Sequence, residues 1–558
     1  KETATIRGVR RVSPGRTTEA SFSWRAQYSI PSVVNTLRVI SEKPHSVEHP
    51  QEREEVRQYL YQRLLAMDSS ARIYRYDSRL MYFDLRMYTS RIPADFRKYS
   101  QCSGHFDIGN VYACFNPAGA DSAKAYVLMV AHLDSRYAHN VRGKQVYSFG
   151  AADDGYGVAT ILECVENALE NRDLWKNGVK VLFTDSEEHD LDGMRNAYEK
   201  DKEIFEDVNL VVNIEARGVK GPVLLFETSK GNNKLFDFYA ENSQYPYTYS
   251  LTSVVYGFMP NFTDFTVVRD DIPGYNFSLL DNINYYHTDK DNFSNISTNA
   301  LAHYGAQIQP LLNAYLTYEN HSSKDSFKGD SDAVAFSVPG LGTRVFEKGE
   351  YYILNALVLL LFSVAFTLYV KLRRVSLRNI GKEFLLAIRG ALMFCGIGFL
   401  VSFVAAKLTG VPFSIVATKY IPGDTFISVA TIVLTTLLYI FYYMQRRRNN
   451  PGYHFEVLFG TLLLMTIIAA VLLFAIGENF FILLPVGVAL VAMILHTMVY
   501  LNNLSIFAVA VIELLGVSFL YNLLTALTIG SLGVIMFLAY FYVVLMVSLI
   551  ECYMFQKR

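Results

Sequence analysis

The chain is expected to fold as an α/β domain, a mostly parallel sheet sandwiched by helices, followed by an all-α bundle that crosses a membrane several times. Three observations carry this expectation. Short apolar runs of strand character alternate with helical patterns between Ser29 and Leu316. Charged residues thin out after Glu350, where apolar stretches of spanning length take over. Histidines and carboxylates recur just beyond several of the apolar runs.

The elements follow in order. Residues 1–27 are basic and polar, with Arg7, Arg10, Arg11 and Arg16, and read as a tether. Helical spacing begins at Ser29, in Val33, Leu37 and Ile40, and continues in Val56, Tyr59, Leu60 and Leu64. Val127–Val130 is a buried-strand run, Val158–Leu169 a helix, and Val179–Phe183 and Asn209–Ile214 are strands. Asn232–Glu241 is a helix, Gly274–Leu279 a strand, and Leu301–Leu316 a closing amphipathic helix. Strands alternating with helices imply a parallel sheet covered on both faces, so residues 28–319 form one domain. Residues 320–350, rich in Ser, Asp, Lys and Gly, are expected to be a linker. Residues 351–558 then hold about seven spans, near 351–370, 384–406, 425–444, 455–476, 479–500, 504–522 and 526–553.

Composition excludes some classes. A formal net charge of -1 gives no hint of a nucleic-acid partner. The five cysteines are scattered, without the paired spacing of a thiolate metal site. Cys102 and Cys114 flank a possible hairpin and could be a disulfide or two free thiols. Three basic groups, Lys371 to Lys382, Arg446 to Arg448 and Lys557-Arg558, fall on one side of a seven-span bundle. The positive-inside tendency makes that side, with the C-terminus, cytoplasmic. The hydrophilic domain then lies across the membrane, in a periplasm, the exterior or an organelle lumen. Such a domain needs a translocation signal, so an N-terminal signal or span ahead of Lys1 is expected to have been trimmed.

The chemistry sits in five places: His132-Leu133-Asp134, Gly150-Ala151-Ala152-Asp153-Asp154, Glu187-Glu188, Glu215, and Tyr286-His287-Thr288. His132, Glu187, Glu188 and Glu215 each follow a strand directly, and His287 lies a short loop beyond one. In open α/β sheets that carboxyl edge is where ligands bind. Imidazoles and carboxylates without thiolates suit hydrolytic zinc, and paired zinc activates water.

These motifs, in this order, resemble the zinc exopeptidases of the aminopeptidase Y and bacterial leucyl aminopeptidase family (clan MH, family M-twenty-eight). With the multi-span tail, the chain is most similar to the membrane-bound branch that includes vacuolar membrane protease and endoplasmic reticulum metallopeptidase. The resemblance covers Ser29 to Leu316 and implies a zinc aminopeptidase-like fold, two zinc ions and peptide substrates. It implies His132 and Glu215 on one zinc, Glu188 and His287 on the other, and Asp153 shared, with Asp154 the rival for the bridge. Glu187 would be the general base, and Asp134 the aspartate that orients the metal pair's surroundings. Tyr156-Gly157 replaces the family's usual Ser-Gly, and Asp190 stands where glycine is common.

Weaker candidates remain. Arg217 is read either as a partner for a substrate carboxylate or as one half of a surface ion pair, and Tyr286 as a second substrate contact. Asp264 is read as structural, and His139, His189 and His303 as ordinary loop or helix residues. His496 and Glu513 are ionisable groups inside spans, functional or simply hydrogen-bonded between helices. The expected function is a membrane-anchored di-zinc exopeptidase, foremost an aminopeptidase. Its rivals are a transporter or membrane organiser with a non-catalytic peptidase-like domain, a carboxypeptidase, and a glutaminyl cyclase-like enzyme.

Overall fold

Alternation with period two builds the centre of the hydrophilic half. Along the strand Tyr126–His132, Val127, Met129 and Ala131 enter one apolar cluster, while Leu128 and Val130 enter another on the opposite face. A computed structural model describes residues 27–79, 107–141, 144–257, 261–338, 342–373, 375–415, 417–448, 453–498 and 531–554. The expected tether (apart from residue 27), Cys102, the span at 504–522 with Glu513, and Lys557-Arg558 lie outside the described residues.

The strands are β1 (Arg72–Arg79), β2 (Asp107–Phe115), β3 (Tyr126–His132), β4 (His139–Val141), β5 (Lys144–Val146), β6 (Gly178–Thr184), β7 (Val208–Ile214), β8 (Leu224–Thr228), β9 (Gly274–Ser278), β10 (Ala333–Val338) and β11 (Gly342–Glu347). Seven of them form one sheet in the order β1-β2-β6-β3-β7-β9-β8. The expected parallel character holds for the central four, β6, β3, β7 and β9, in register Val127 to Val179 and Asn213 to Asn276. The flanking strands β1, β2 and β8 add antiparallel pairs at the two edges. Cys114, on β2, is a buried thiol.

Helices α1 (Ile30–Ile40), α2 (Pro50–Met67), α3 (Gly155–Leu169) and α4 (Thr298–Thr317) share the larger apolar cluster on one face. The helices Asp192–Lys200 and Asp264–Val268 cover the other. Caps explain why two helices begin earlier than their apolar periodicity suggests. Asp154 accepts from the Gly157 amide at 3.0 Å to start α3, and Ser297 accepts from the Ala300 amide at 3.3 Å to start α4.

Residues 320–350 differ from the expected linker, because β10 and β11 pair there as a hairpin. Its alternating Val334 and Phe336 are buried, and Phe336 stacks on Phe480 with centroids 4.6 Å apart. Below the hairpin the helices α5 (Lys348–Arg373), α6 (Leu377–Thr409), α7 (Asp424–Arg448), α8 (Tyr453–Ile476), α9 (Phe480–Met498) and α10 (Leu532–Met554) form the bundle. Among the described residues, five helices are long and apolar enough to cross a membrane. Leu360, Leu392, Phe426 and Leu438 stay exposed on its outer faces, as lipid contact requires. His496 falls on α9.

Two polar ties orient the bundle. At one end Tyr351 donates to Asn479 Oδ1 at 2.6 Å, and Asn479 donates to Asn355 Oδ1 at 2.7 Å, next to the hydrophilic half. At the other, Arg446 meets Glu383 and Arg447 meets Glu551, each at 2.8 Å. From the hairpin at Lys348, α5 runs about 39 Å to Arg373 at 1.5 Å per residue, and α6, which carries Glu383, begins shortly after.

Asp185 pins α2 to the sheet. It is fully buried, 3.4 Å from Arg53 and 3.7 Å from Arg57, and accepts from the Gly109 amide at 2.7 Å. Asp185→Asn leaves buried guanidinium charge without its counter-ion and should cost about 3 kcal/mol. Breaking the exposed Lys43–Glu55 pair should cost less than about 1 kcal/mol. Denaturant unfolding of the purified chain checks the contrast.

Candidate metal centre

Parallel strands all end on the same edge, and here four of them deliver side chains to it. β3 ends at His132, β6 runs through Thr184 into the single helical turn Glu187–Asp190, and β7 is followed at once by Glu215. Beyond β9, a loop leads through the turn Ile283–Tyr285 to His287. Asp153 arrives from the N-terminal side of α3.

The acceptor atoms fall into two groups of three that share one carboxylate. His132 Nε2 lies 3.3 Å from Asp153 Oδ1 and 3.7 Å from Glu215 Oε2. His287 Nε2 lies 3.3 Å from Asp153 Oδ2 and 3.1 Å from Glu188 Oε2. Each group spans no more than 4.8 Å, the spacing of ligands around one ion. Asp153 Oδ2 and Glu188 Oε1 are buried and accept no hydrogen bond, a cost that a cation would remove. Asp154 instead caps α3, which separates it from the shared position. Glu187 completes the set, with Oε2 3.9 Å from His132 Nε2 and partial exposure to solvent.

A second layer of contacts aims these groups. His132 Nδ1 lies 2.9 Å from the Asp134 carbonyl oxygen, so a proton there leaves Nε2 as an acceptor. The Asp134 carboxylate lies 3.6 Å from the same Nδ1 and also accepts from the Glu187 amide at 3.0 Å and the Glu188 amide at 3.4 Å, fixing the two-glutamate turn. Ser186, just before that turn, has φ of 60°, and His287 has φ of 57°. Such left-handed positions cost about 1–3 kcal/mol each outside glycine and persist where their surroundings impose them. Asp291 accepts from the Ala152 amide at 2.7 Å, the Asp153 amide at 3.3 Å and the Ser148 hydroxyl at 3.0 Å. Asn213 donates to Glu215 Oε1 at 3.2 Å.

Electrostatics split the adjacent glutamates. Burial raises Glu187 well above the usual carboxylate range, and Glu215 and Glu188 add to this against the pull of His132. Glu188 goes the other way despite burial, held low by His287 and then Arg136. Burial also lifts Glu215 to about 8, Asp264 to about 6 and Asp291 to about 7. Neighbouring carboxylates driven apart in this way suit an acid/base group beside a ligand.

The weaker candidates separate as well. Asp264 is buried at the start of its helix and accepts from the Thr184 hydroxyl. His189 contacts Asp192 at 2.8 Å, and His303 accepts from the Val223 amide at 2.9 Å. Tyr286 stacks on His287 with centroids 3.6 Å apart. Arg217 is half-buried over the Tyr286 ring, 5.4 Å from its centroid, rather than in a surface ion pair. Arg136 was not anticipated. It donates to the Glu188 carbonyl at 2.5 Å and to Glu188 Oε2 at 3.1 Å, and no sequence spacing announces a contact that crosses from one loop to another.

Residues 110–312 match the sequence profile of Peptidase family M28. The chain contains a peptidase M28 domain. It is homologous to mouse endoplasmic reticulum metallopeptidase 1, 27% identical over 277 residues, which are 49% of this chain and 29% of that protein. It is also homologous to the vacuolar membrane protease of Yarrowia lipolytica, 25% identical over 240 residues, 42% of this chain and 22% of that one. The aligned part thus spans less than a third of either relative's length. Similar solved structures include a Zn-dependent exopeptidase from Parabacteroides distasonis (17% identity, TM-score 0.37, covering 52% of this chain and 99% of that one). A Porphyromonas gingivalis glutaminyl cyclase also overlays (17% identity, TM-score 0.38, covering 52% and 99%).

Asp291→Ala strips the Asp153 loop of three hydrogen bonds and should cost about 2–3 kcal/mol. It should also weaken zinc retention about 10–100-fold. Unfolding curves and chelator competition on the purified variant read both effects.

Proposed function

We propose that the chain is a membrane-anchored di-zinc exopeptidase, foremost an aminopeptidase, acting on peptides outside the cytoplasm. The observation that carries this reading is the pair of three-atom groups sharing Asp153. His132 and Glu215 would hold one zinc, Glu188 and His287 the other, with one Asp153 oxygen toward each. The orphaned oxygens of Asp153 and Glu188 fit that role, as does a donor set of two imidazoles and three carboxylates. When bound, such a pair supplies Lewis acidity toward the scissile carbonyl and acidifies water.

The protein's own residues handle the proton. Glu187 stands beside the cluster without a place in either three-atom group, reaches solvent, and favours its protonated form more than Glu188 does. It takes the proton of the attacking water and returns it to the leaving amine. Asp134 keeps it in place through the Glu187 amide. His287 and then Arg136 favour the ionised form of Glu188.

Glu187→Gln should lower peptide turnover about 10²–10⁴-fold while the purified chain keeps two zinc ions, measured by elemental analysis. Activity that survives this change would support a different base or a non-catalytic ligand-binding role, and one zinc per chain would favour cyclase-like chemistry. Free peptides should be trimmed and N-blocked peptides spared; equal cleavage of both would reject an aminopeptidase.

The same reading places residues 28–319 on the non-cytoplasmic side and the basic end of the bundle in the cytoplasm. In sealed vesicles of native orientation, a cysteine label introduced at exposed Lys43 should react with a membrane-impermeant reagent only where the non-cytoplasmic face is outward. A label at Arg448 should show the reverse.

A further inference from the structure

Arginines in the hydrophilic half follow a rule with one exception. Every other buried or half-buried arginine described there has a carboxylate partner: Arg53 and Arg57 share Asp185, Arg136 has Glu188, Arg172 has Asp68 and Arg269 has Glu227. The remaining two, Arg63 and Arg75, meet Glu166 and Glu54. Arg217 is half-buried, and its neighbours are tyrosines, Tyr286 first and then Tyr256 and Tyr420. A guanidinium cannot shed its charge, so partial removal from water without an anion is costly.

Its position is fixed and close to the chemistry. The Arg217 amide donates to the Leu279 carbonyl at 3.1 Å and to the Ser278 hydroxyl at 3.2 Å, so its backbone is tied to the end of β9. Arg217 lies two residues beyond Glu215, and Tyr286 connects it to His287 by stacking. A second donor lies within its electrostatic reach: the Tyr256 hydroxyl is buried and has no hydrogen-bond partner. The guanidinium meets tyrosine hydroxyls, foremost that of Tyr286, and no carboxylate among the described residues, so a planar cation with a second donor beside it matches an incoming carboxylate.

We propose that Arg217, with Tyr286 beside it and Tyr256 nearby, is the subsite that recognises a carboxylate of the substrate close to the scissile bond. This rests on the peptidase reading above and narrows it to peptides that are very short with a free C-terminus, or that carry an acidic side chain next to the cleaved bond. Arg217 binds and positions; it takes no part in proton transfer.

The test uses the zinc-loaded Glu187→Gln chain with its bundle, so that binding is read without turnover. Affinities are measured for alanyl-alanine, alanyl-alanine amide and alanyl-glutamate amide. At least one carboxylate-bearing peptide should bind about tenfold or more tightly than alanyl-alanine amide. Which of them does so identifies the terminal or the side-chain carboxylate as the source. Adding Arg217→Gln should bring the ratio to about one, and Arg217→Lys, which keeps the charge without the fork, should leave an intermediate ratio and serves if the glutamine variant does not fold. Equal binding of all three peptides, or a preference that survives the loss of Arg217, overturns the proposal. If the parent chain hydrolyses peptides yet shows no such preference, only this proposal fails; if it neither hydrolyses nor binds any peptide, the peptidase reading fails with it.

Discussion

Repulsion among carboxylates at one end of the sheet is the constraint to which the rest of the hydrophilic half answers. Asp153, Asp154, Glu187, Glu188, Glu215 and Asp264 gather there with little exposure. Two like charges 4 Å apart cost about 4 kcal/mol at an effective dielectric of 20. The pressure is visible in Glu215, Glu187 and Asp154, all raised by burial and then by neighbouring carboxylates. Part of it is met within the chain. His132 and His287 stand among the oxygens, Arg136 faces Glu188, and backbone amides converge on Asp134 and Asp291. The cluster still leaves buried oxygens without donors. A fold that holds this much negative charge at a strand edge gains most from divalent cations placed between its oxygens.

Much of that arrangement can be read before any coordinates. Each of His132, Glu187 and Glu215 follows an apolar run of strand character, and parallel strands must end together, so their proximity follows from topology alone. The sharing of Asp153 between two imidazoles is different in kind. It depends on which oxygen faces which ring, and no spacing along the chain encodes that. The same holds for Asp134, whose carbonyl meets His132 while its carboxylate serves the glutamate turn. Arg136 was invisible because a long side chain reaches across loops, and the pairing state of Arg217 depends on what its neighbours lack.

Edges of the fold were the hardest to foresee. β1 reads Arg-Ile-Tyr-Arg-Tyr-Asp-Ser-Arg, with charges at both parities, because an edge strand pairs on one side only and tolerates polar residues. The hairpin β10–β11 follows a polar, glycine-containing stretch, and its apolar alternation is short. Its stability comes from contacts that only the assembled chain provides, such as Phe336 against Phe480 and the Ser337 amide donating to the Thr248 carbonyl at 2.9 Å.

That hairpin belongs to a wider continuity between the two halves. One apolar cluster runs from Leu224, Tyr249 and Phe336 into Tyr351, Leu462 and Phe480, so the bundle and the sheet domain share buried surface. A second junction touches the loop that carries His287. The turn Ile283–Tyr285 packs against Ala417–Tyr420, in the connection between α6 and α7, and buried Lys419 sits 3.8 Å from Asp281 and 3.7 Å from Asp424. A lysine buried between two carboxylates ties the two segments together, since losing both partners would strand its charge away from water. Asn282 and His287, both with left-handed backbone, bound the same loop, so its shape is imposed by its surroundings and not by local preference. The bundle therefore contacts the loop that leads to His287, and a sheet domain separated from it would have to hold that loop against its own backbone strain.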